Sequence, residues 1–213
     1  MWKNQGRNID FSQIDFLLYT DGAFAPSLDI GAWAFLLIDR SCYAVSRGGV
    51  LPGGATSNRA ELAAMINGLD YIFQAASSSS IVVVSDSQYA VSAAKSGQGG
   101  KNRDLITDLL RTKMMHKSAS FVWVKGHDGN PGNEYCDKLA DLVVREAKRN
   151  AGQRIPTSRW QKVSNQLPIR RESSGVDESL LLHFLEQKSK GMGRRRRCDV
   201  VGIHPLESSL DNR

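Results

Sequence analysis

Two apolar runs, each followed by an aspartate, constrain the fold of this chain most strongly. They are "FLLYTDGA" at residues 16–23 and "VVVSDSQY" at residues 82–89. Both runs have the apolar character of buried strands, and in open α/β sheets ligands bind beyond the carboxyl ends of the strands. If the two strands are parallel neighbours, Asp21 and Asp86 lie side by side. Ordinary turn chemistry explains either aspartate equally well when it is taken alone.

The remaining apolar pattern predicts a mixed sheet flanked by helices. From Thr56 to the serine run at 77–80, apolar residues recur at helical spacing, and Asn130 followed by Pro131 is typical of a helix start. Strands joined by short turns are expected to be antiparallel, whereas strands joined through helices are expected to be parallel. The sequence therefore predicts an α/β fold with a five-stranded mixed sheet; the strands are 16–20, 30–38, 42–49, 81–85 and 120–124, and the later helices are 87–95, 103–116 and 130–149.

Charge is distributed unevenly along the chain. The net charge is +6, and residues 1–150 hold 16 Lys and Arg against 15 Asp and Glu, whereas residues 151–213 hold 12 against 7. We expect an N-terminal lead (1–13), one well-cored domain (14–150) and a basic, largely flexible C-terminal extension (151–213). Within the extension, the candidate nucleic-acid contact is the run Arg194, Arg195, Arg196 and Arg197. The alternatives for this run are protein docking, targeting or a solvated end.

Composition also bears on location. No apolar run approaches the roughly 20 residues of a membrane-spanning helix, and the first ten residues lack the apolar stretch of a signal peptide. Cys42, Cys136 and Cys198 form neither a metal-type pair nor a disulfide framework. We therefore expect a cytoplasmic monomer that does not contact a membrane.

Further polar residues are ambiguous on the sequence alone. Glu61 lies on the flank of a helical apolar stripe, where it could reach the sheet, but a capping interaction with Asn58 is the favoured explanation from periodicity. Asp137 shares a helix face with Asp141, which is usual for surface charge. His127 lies in a glycine-rich loop, where an exposed histidine is the ordinary interpretation.

Taken together, four motifs resemble one family, ribonuclease H type 1. They are "YTDGA" (19–23), "TSNRAEL" (56–62), "SDSQYA" (85–90) and "VKGHDGNPGNEYCDKLAD" (124–141), in the family's order and spacing. The resemblance covers residues 14–149 and implies a ribonuclease H-like fold with residues 14–150 as the catalytic domain. It also implies an enzyme that hydrolyses the RNA strand of RNA–DNA hybrids and leaves 3′-hydroxyl and 5′-phosphate ends.

The resemblance implies roles for individual residues. The catalytic, metal-binding carboxylates would be Asp21, Glu61, Asp86 and Asp137, which would hold two Mg²⁺ ions (or Mn²⁺), and His127 would assist proton transfer or product departure. Asn58 and Gln88 match polar residues that face the hybrid's minor groove, and Thr56 matches a hydroxyl that binds a DNA-strand phosphate. Capping or surface polarity is the alternative for these last three residues.

The sequence departs from the family in two places and leaves other functions open. The basic, aromatic protrusion that often follows the second helix is absent, and the loop after "YTDG" lacks Asn-Pro-Gly, which puts a phosphate contact at Ser27 in doubt. The alternative functions are a non-catalytic hybrid-binding module and a DNA-acting nuclease or transposase relative. Trp33 and Trp123 lie within predicted strands and are expected in the core.

Overall fold

Five strands form one sheet at the centre of the protein. The computed structural model describes residues 3–4, 7–8, 14–40, 44–51 and 53–150. The strands are β1 (Phe16–Ala25), β2 (Ile30–Asp39), β3 (Ala44–Leu51), β4 (Ser80–Ser85) and β5 (Ser118–Trp123); the helices are α1 (Ser57–Ala75), α2 (Gln88–Ser96), α3 (Arg103–Met114) and α4 (Pro131–Asn150). Short 3-10 turns lie at Pro26–Leu28 and Gly100–Asn102, and a separate two-residue antiparallel pair joins Lys3–Asn4 to Arg7–Asn8.

The strand order is β3-β2-β1-β4-β5. β2 runs antiparallel to both β1 and β3, whereas β4 runs parallel to both β1 and β5. The predicted five-stranded mixed sheet is therefore confirmed, including the antiparallel first three strands.

The helices cover the two faces of the sheet because successive strand residues point to opposite sides. On one face, Leu18 packs with Leu62 of α1 and Leu105 of α3 in a cluster that also includes residues of α2. On the other face, Tyr19 packs with Cys136 of α4. β4 is buried along its whole length, as expected of a strand covered on both faces. Among the residues that the structure describes, no helix has both the length and the apolar character needed to cross a membrane.

One boundary differs from the prediction and shapes the site. β1 does not end before Asp21 but continues to Ala25, because β2 pairs with it as far as Ala25 and Ile30. Its parallel pairing with β4 stops earlier, at Tyr19 and Val84. The two central strands therefore part just before their aspartates. The four tail arginines, and nearly all of the lead, lie outside the described residues.

Candidate active site

Asp21 and Asp86 each lie two residues beyond the last pair that joins β1 to β4. They therefore stand in the same register at the point where the strands separate. Asp21 is only 7% exposed, and its Oδ1 accepts a hydrogen bond from the Gly22 N–H at 2.7 Å. The sheet topology thus places two carboxylates together, and one of them, Asp21, is buried.

Glu61 reaches this position from α1 because Gly22 lets the helix approach the sheet. A Cβ at Gly22 would clash with the Glu61 backbone nitrogen, so a side chain there is incompatible with the observed packing. α1 is capped by Thr56, whose Oγ1 accepts from the Arg59 N–H at 3.2 Å. The capping interaction favoured for Glu61 and Asn58 is therefore wrong: Thr56 caps the helix, and Glu61 is 9% exposed, with a carboxylate oxygen within 4.8 Å of one on Asp21.

These three carboxylates form a compact acidic cluster, which we define as Asp21, Glu61 and Asp86. One oxygen from each lies within 4.8 Å of the others. Burial, reinforced by the nearby Asp86 carboxylate, raises the pKa of Asp21 to about 7, and burial together with Asp21 raises the pKa of Glu61 well above its usual value. Without a cation, the fold therefore favours protonated forms of these groups.

The acidic cluster has the chemistry of a divalent cation site. Hard cations such as Mg²⁺ bind carboxylate oxygens and keep several waters, so a few carboxylates suffice. Glu61 Oε2 is buried and accepts no hydrogen bond from the described residues, so it remains available as a ligand. A bound cation would offset the negative charge of Glu61 and of the neighbouring Asp21 and Asp86 carboxylates.

Asp137 and His127 lie at the edge of the acidic cluster rather than within it. His127 Nδ1 is 3.8 Å from Asp137 Oδ2, and the two side chains are 81% and 41% exposed. Burial, the largest influence, raises the pKa of Asp137, while His127 opposes that rise. His127 adopts a left-handed backbone with φ of 51°. The structure thus brings Asp137 next to His127, on the solvent side of the three inner carboxylates.

Two side chains that the sequence analysis did not assign to the site contact Asp86. Asn133 Nδ2 donates to Asp86 Oδ2 at 2.9 Å, and Trp123 Nε1 donates to the Asp86 carbonyl at 2.8 Å. Trp123 is 37% exposed, so its expected core position is wrong: it is the last residue of β5, and its indole N–H donates to the residue that follows β4. A signal for Asn133 exists in the sequence, because it lies one helical turn before Asp137.

The expected substrate-binding side chains lie on the first turns of α1 and α2, or cap them, and are exposed. Thr56 caps α1, Asn58 lies in its first turn, and Gln88 is the first residue of α2. Arg59 anchors this end of α1 to α3 through two hydrogen bonds to the Asp104 carboxylate, at 3.1 and 2.7 Å. Thr56, Asn58 and Gln88 form an exposed polar rim at the amino-terminal ends of α1 and α2. No described hydrogen bond links these three side chains to the acidic cluster.

Comparison with known proteins identifies relatives over the same part of the chain. The RNase H family model matches residues 13–145. A ribonuclease H of Treponema pallidum is 35% identical over 160 residues, covering 62% of this chain and 92% of that protein. A ribonuclease H of Anaeromyxobacter dehalogenans is 31% identical and covers 63% and 82%, respectively.

Solved structures show the same fold. The N-terminal RNase H domain of a Mycobacterium tuberculosis protein, solved as a fusion with maltose-binding protein, has a TM-score of 0.56 and 19% identity. That match covers 65% of this chain and 99% of the solved chain. RNase H1 from Halobacterium salinarum has a TM-score of 0.51 at 23% identity, covering 62% of this chain and 98% of its own.

Proposed function

Because the chain belongs to the ribonuclease H family, we propose that it hydrolyses the RNA strand of RNA–DNA hybrids endonucleolytically, leaving 3′-hydroxyl and 5′-phosphate ends. The observation that carries this proposal is the acidic cluster, whose three carboxylates converge where β1 and β4 part. A buried group of carboxylates destabilises the metal-free fold, which is expected of a site built to bind cations. We place the catalytic domain at residues 14–150.

The proposed ligands are the acidic cluster and Asp137, which would hold two divalent ions, Mg²⁺ or Mn²⁺. When bound, such ions lower the pKa of a water nucleophile and stabilise the leaving oxygen. Asp21 is assigned as the central ligand, since burial and the charges of both Asp86 and Asp137 raise the pKa of its carboxyl. Asp137 is more exposed, so we assign it to the solvent side of the site.

His127 is proposed to move protons rather than to bind the cations. Its imidazole lies beside the Asp137 carboxylate and is largely exposed, so it can exchange protons with solvent. A positioned general acid–base group typically contributes about 10²–10⁴-fold to the rate. We assign to His127 the delivery of a proton to the departing ribose oxygen and the release of product.

Selection of RNA requires a contact to the 2′-hydroxyl, because that group distinguishes RNA from DNA at a given nucleotide. We propose that Asn58 and Gln88 face the minor groove of the hybrid and that Thr56 binds a phosphate of the DNA strand. All three are exposed near the amino-terminal ends of helices, where backbone N–H groups also favour phosphate. The Arg194–Arg197 run would add sequence-independent phosphate contacts.

A cleavage assay with labelled RNA–DNA hybrid, duplex RNA and duplex DNA, each with and without Mg²⁺, tests the proposal. We expect cleavage of the RNA strand of the hybrid and of no other strand, and only when metal is present. A folded Asp21→Asn variant should lose this cleavage. Hybrid binding without cleavage would favour the non-catalytic module, and cleavage of duplex DNA would favour the DNA-acting alternative. Near-normal turnover by Asp21→Asn would refute the assigned site.

A further inference from the structure

Asn133 is a buried side chain whose hydrogen bonding is unusual for a core position. The residue is 1% exposed and lies in the first turn of α4. Its Nδ2 donates to Asp86 Oδ2 at 2.9 Å, whereas its Oδ1 has no hydrogen-bond partner among the described residues. A buried amide oxygen without a partner destabilises a fold, so packing and stability do not explain an asparagine at this position.

The surroundings of Asp86 indicate what the Asn133 side chain does. Asp86 follows β4, beyond its last pair with β1, so the sheet does not fix the direction of its carboxylate. A Cβ at Gly126 would lie 2.6 Å from Asp86 Oδ2, so the backbone of the loop before α4 passes close to the same oxygen that Asn133 holds. That oxygen is thus fixed from the protein side.

The same helix turn links Asn133 to the outer part of the site. Asn133 and Asp137 are four residues apart and share a face of α4. The Asn133 backbone N–H donates to Asn130 Oδ1 at 3.3 Å, and Gly132 packs directly against the ring of Tyr19 on β1. These contacts hold the first turn of α4, which carries Asn133, against the sheet, and Asp137 follows one turn later on the same face of the helix.

We propose that Asn133 is a positioning residue that orients the Asp86 carboxylate for divalent cation binding. This inference rests on the proposed function. The amide donates to Oδ2, which leaves Oδ1 as the Asp86 oxygen that would bind the cation together with Asp21 and Glu61. Residues that orient a metal ligand in this way typically contribute about 10–100-fold to metal affinity or activity when they are removed.

The test uses the full chain and measures metal binding without substrate. Asn133→Leu keeps the branched shape and the number of heavy side-chain atoms but removes the donor and is bulkier, so Asn133→Ser is a smaller variant in case leucine prevents folding. Thr112→Val is the control: Thr112 is fully buried on α3, away from the site, and its hydroxyl also makes a single described hydrogen bond, to the Asp108 carbonyl. Mg²⁺ and Mn²⁺ affinities would be measured by calorimetry, together with melting temperatures with and without the cation.

We expect both Asn133 variants to bind the cation about 10-fold or more weakly and to lose most of the cation-induced rise in melting temperature. The Thr112→Val protein should keep the wild-type cation affinity, whatever its melting temperature. Wild-type cation affinity in a folded Asn133→Leu or Asn133→Ser protein would overturn the proposal. If the wild-type chain itself bound no cation, the proposed function would fail instead, which keeps the two outcomes distinct.

Discussion

At the residue scale, the acidic cluster should make the metal-free protein less stable as pH rises. The pKa of Asp21 is raised from 3.8 to about 7, so the folded state binds more protons than the unfolded chain between these values. Stability contributed by the protonated carboxyl is complete below pH 3.8 and is lost as pH rises towards 7. Glu61 is shifted in the same direction and adds to the effect.

Asp21→Asn should remove much of this pH dependence. We expect the metal-free variant to be more stable than wild type at pH 8, by at most about 4 kcal/mol, since asparagine stays neutral. Urea unfolding in EDTA at pH 4.5 and pH 8 measures the difference, with Asp108→Asn, at a half-exposed carboxylate paired with Arg111 on α3, as the control. Parallel pH profiles for the wild type and Asp21→Asn would show that burial of Asp21 does not govern stability.

A test of His127 needs a substitution that is compatible with its left-handed backbone conformation. Alanine at a φ of 51° is strained, whereas asparagine tolerates the left-handed region and cannot transfer protons near neutral pH. We expect His127→Asn to lower kcat by about 10²–10⁴-fold without abolishing cleavage. Because the side chain is 81% exposed, the melting temperature should not change.

Single-turnover cleavage and thermal melting would be compared with Asp128→Asn, a neighbouring loop variant with a similar change in size. If His127→Asn cleaved at the wild-type rate across the pH range, His127 would have no catalytic role and would be an ordinary exposed loop residue.

At the element scale, the turn between β1 and β2 is bound to the loop that precedes α1. Asp29 Oδ2 accepts from the Gly54 N–H at 2.7 Å, and its Oδ1 accepts from the Ala55 N–H at 3.1 Å. Ala55 in turn packs closely against Gly31 of β2. The Asp29 carboxylate therefore fixes the approach to Thr56, which lies next in the chain.

Replacing Asp29 with glycine should loosen this loop. Glycine accommodates the left-handed φ of 49° at this position, so the change removes the carboxylate without straining the turn. We expect faster hydrogen exchange at the Gly54 and Ala55 amides and hybrid binding weakened by a few-fold, corresponding to about 1 kcal/mol. Leu28→Gly, at an exposed position in the same turn, is the control.

Binding would be titrated without metal so that the hybrid is not cleaved. Tighter binding by Asp29→Gly would show that the carboxylate blocks backbone N–H groups that a phosphate could use, contrary to the positioning role.

The sequence predicts elements well where local pattern decides the outcome. Residues 81–84 form a continuous apolar run, and β4 is indeed buried throughout. Glu61 could not be placed from periodicity, because its burial depends on the contact between Gly22 and α1, which are distant in sequence. Trp123 was misplaced for a similar reason: its hydrogen bond crosses to the residue after β4. The strand-end pattern predicts that Asp21 and Asp86 lie side by side, whereas only the motif resemblance adds Glu61 to them.

At the scale of the whole molecule, the net charge of residues 1–150 is close to neutral, while residues 151–213 carry 12 Lys and Arg against 7 Asp and Glu. A nearly neutral domain attracts a polyanion weakly, so we expect the tail arginines to supply phosphate contacts. Replacing Arg194–Arg197 with alanine should weaken hybrid binding and reduce the slope of log K against log[salt] by up to about 3–4.

Hybrid titrations at several salt concentrations, with Mg²⁺ omitted, measure this slope. The control removes the same number of charges elsewhere in the tail, by substituting alanine for Arg154, Arg159, Arg170 and Arg171. Identical slopes for the wild type and the Arg194–Arg197 variant would exclude the phosphate role and favour docking or targeting. A chain ending at Asn150 should still fold and cleave at low salt, which tests the proposed domain boundary.

The position of Cys136 gives the protein an internal reporter of helix opening. The thiol is fully buried between α4 and the sheet, and burial raises its pKa well above the usual value. An alkylating reagent therefore reacts only when the first half of α4 leaves the sheet, so the labelling rate measures a local opening equilibrium. With Cys42 and Cys198 replaced by serine, slower labelling on addition of Mg²⁺ would show directly that cation binding and the docking of α4 are energetically coupled.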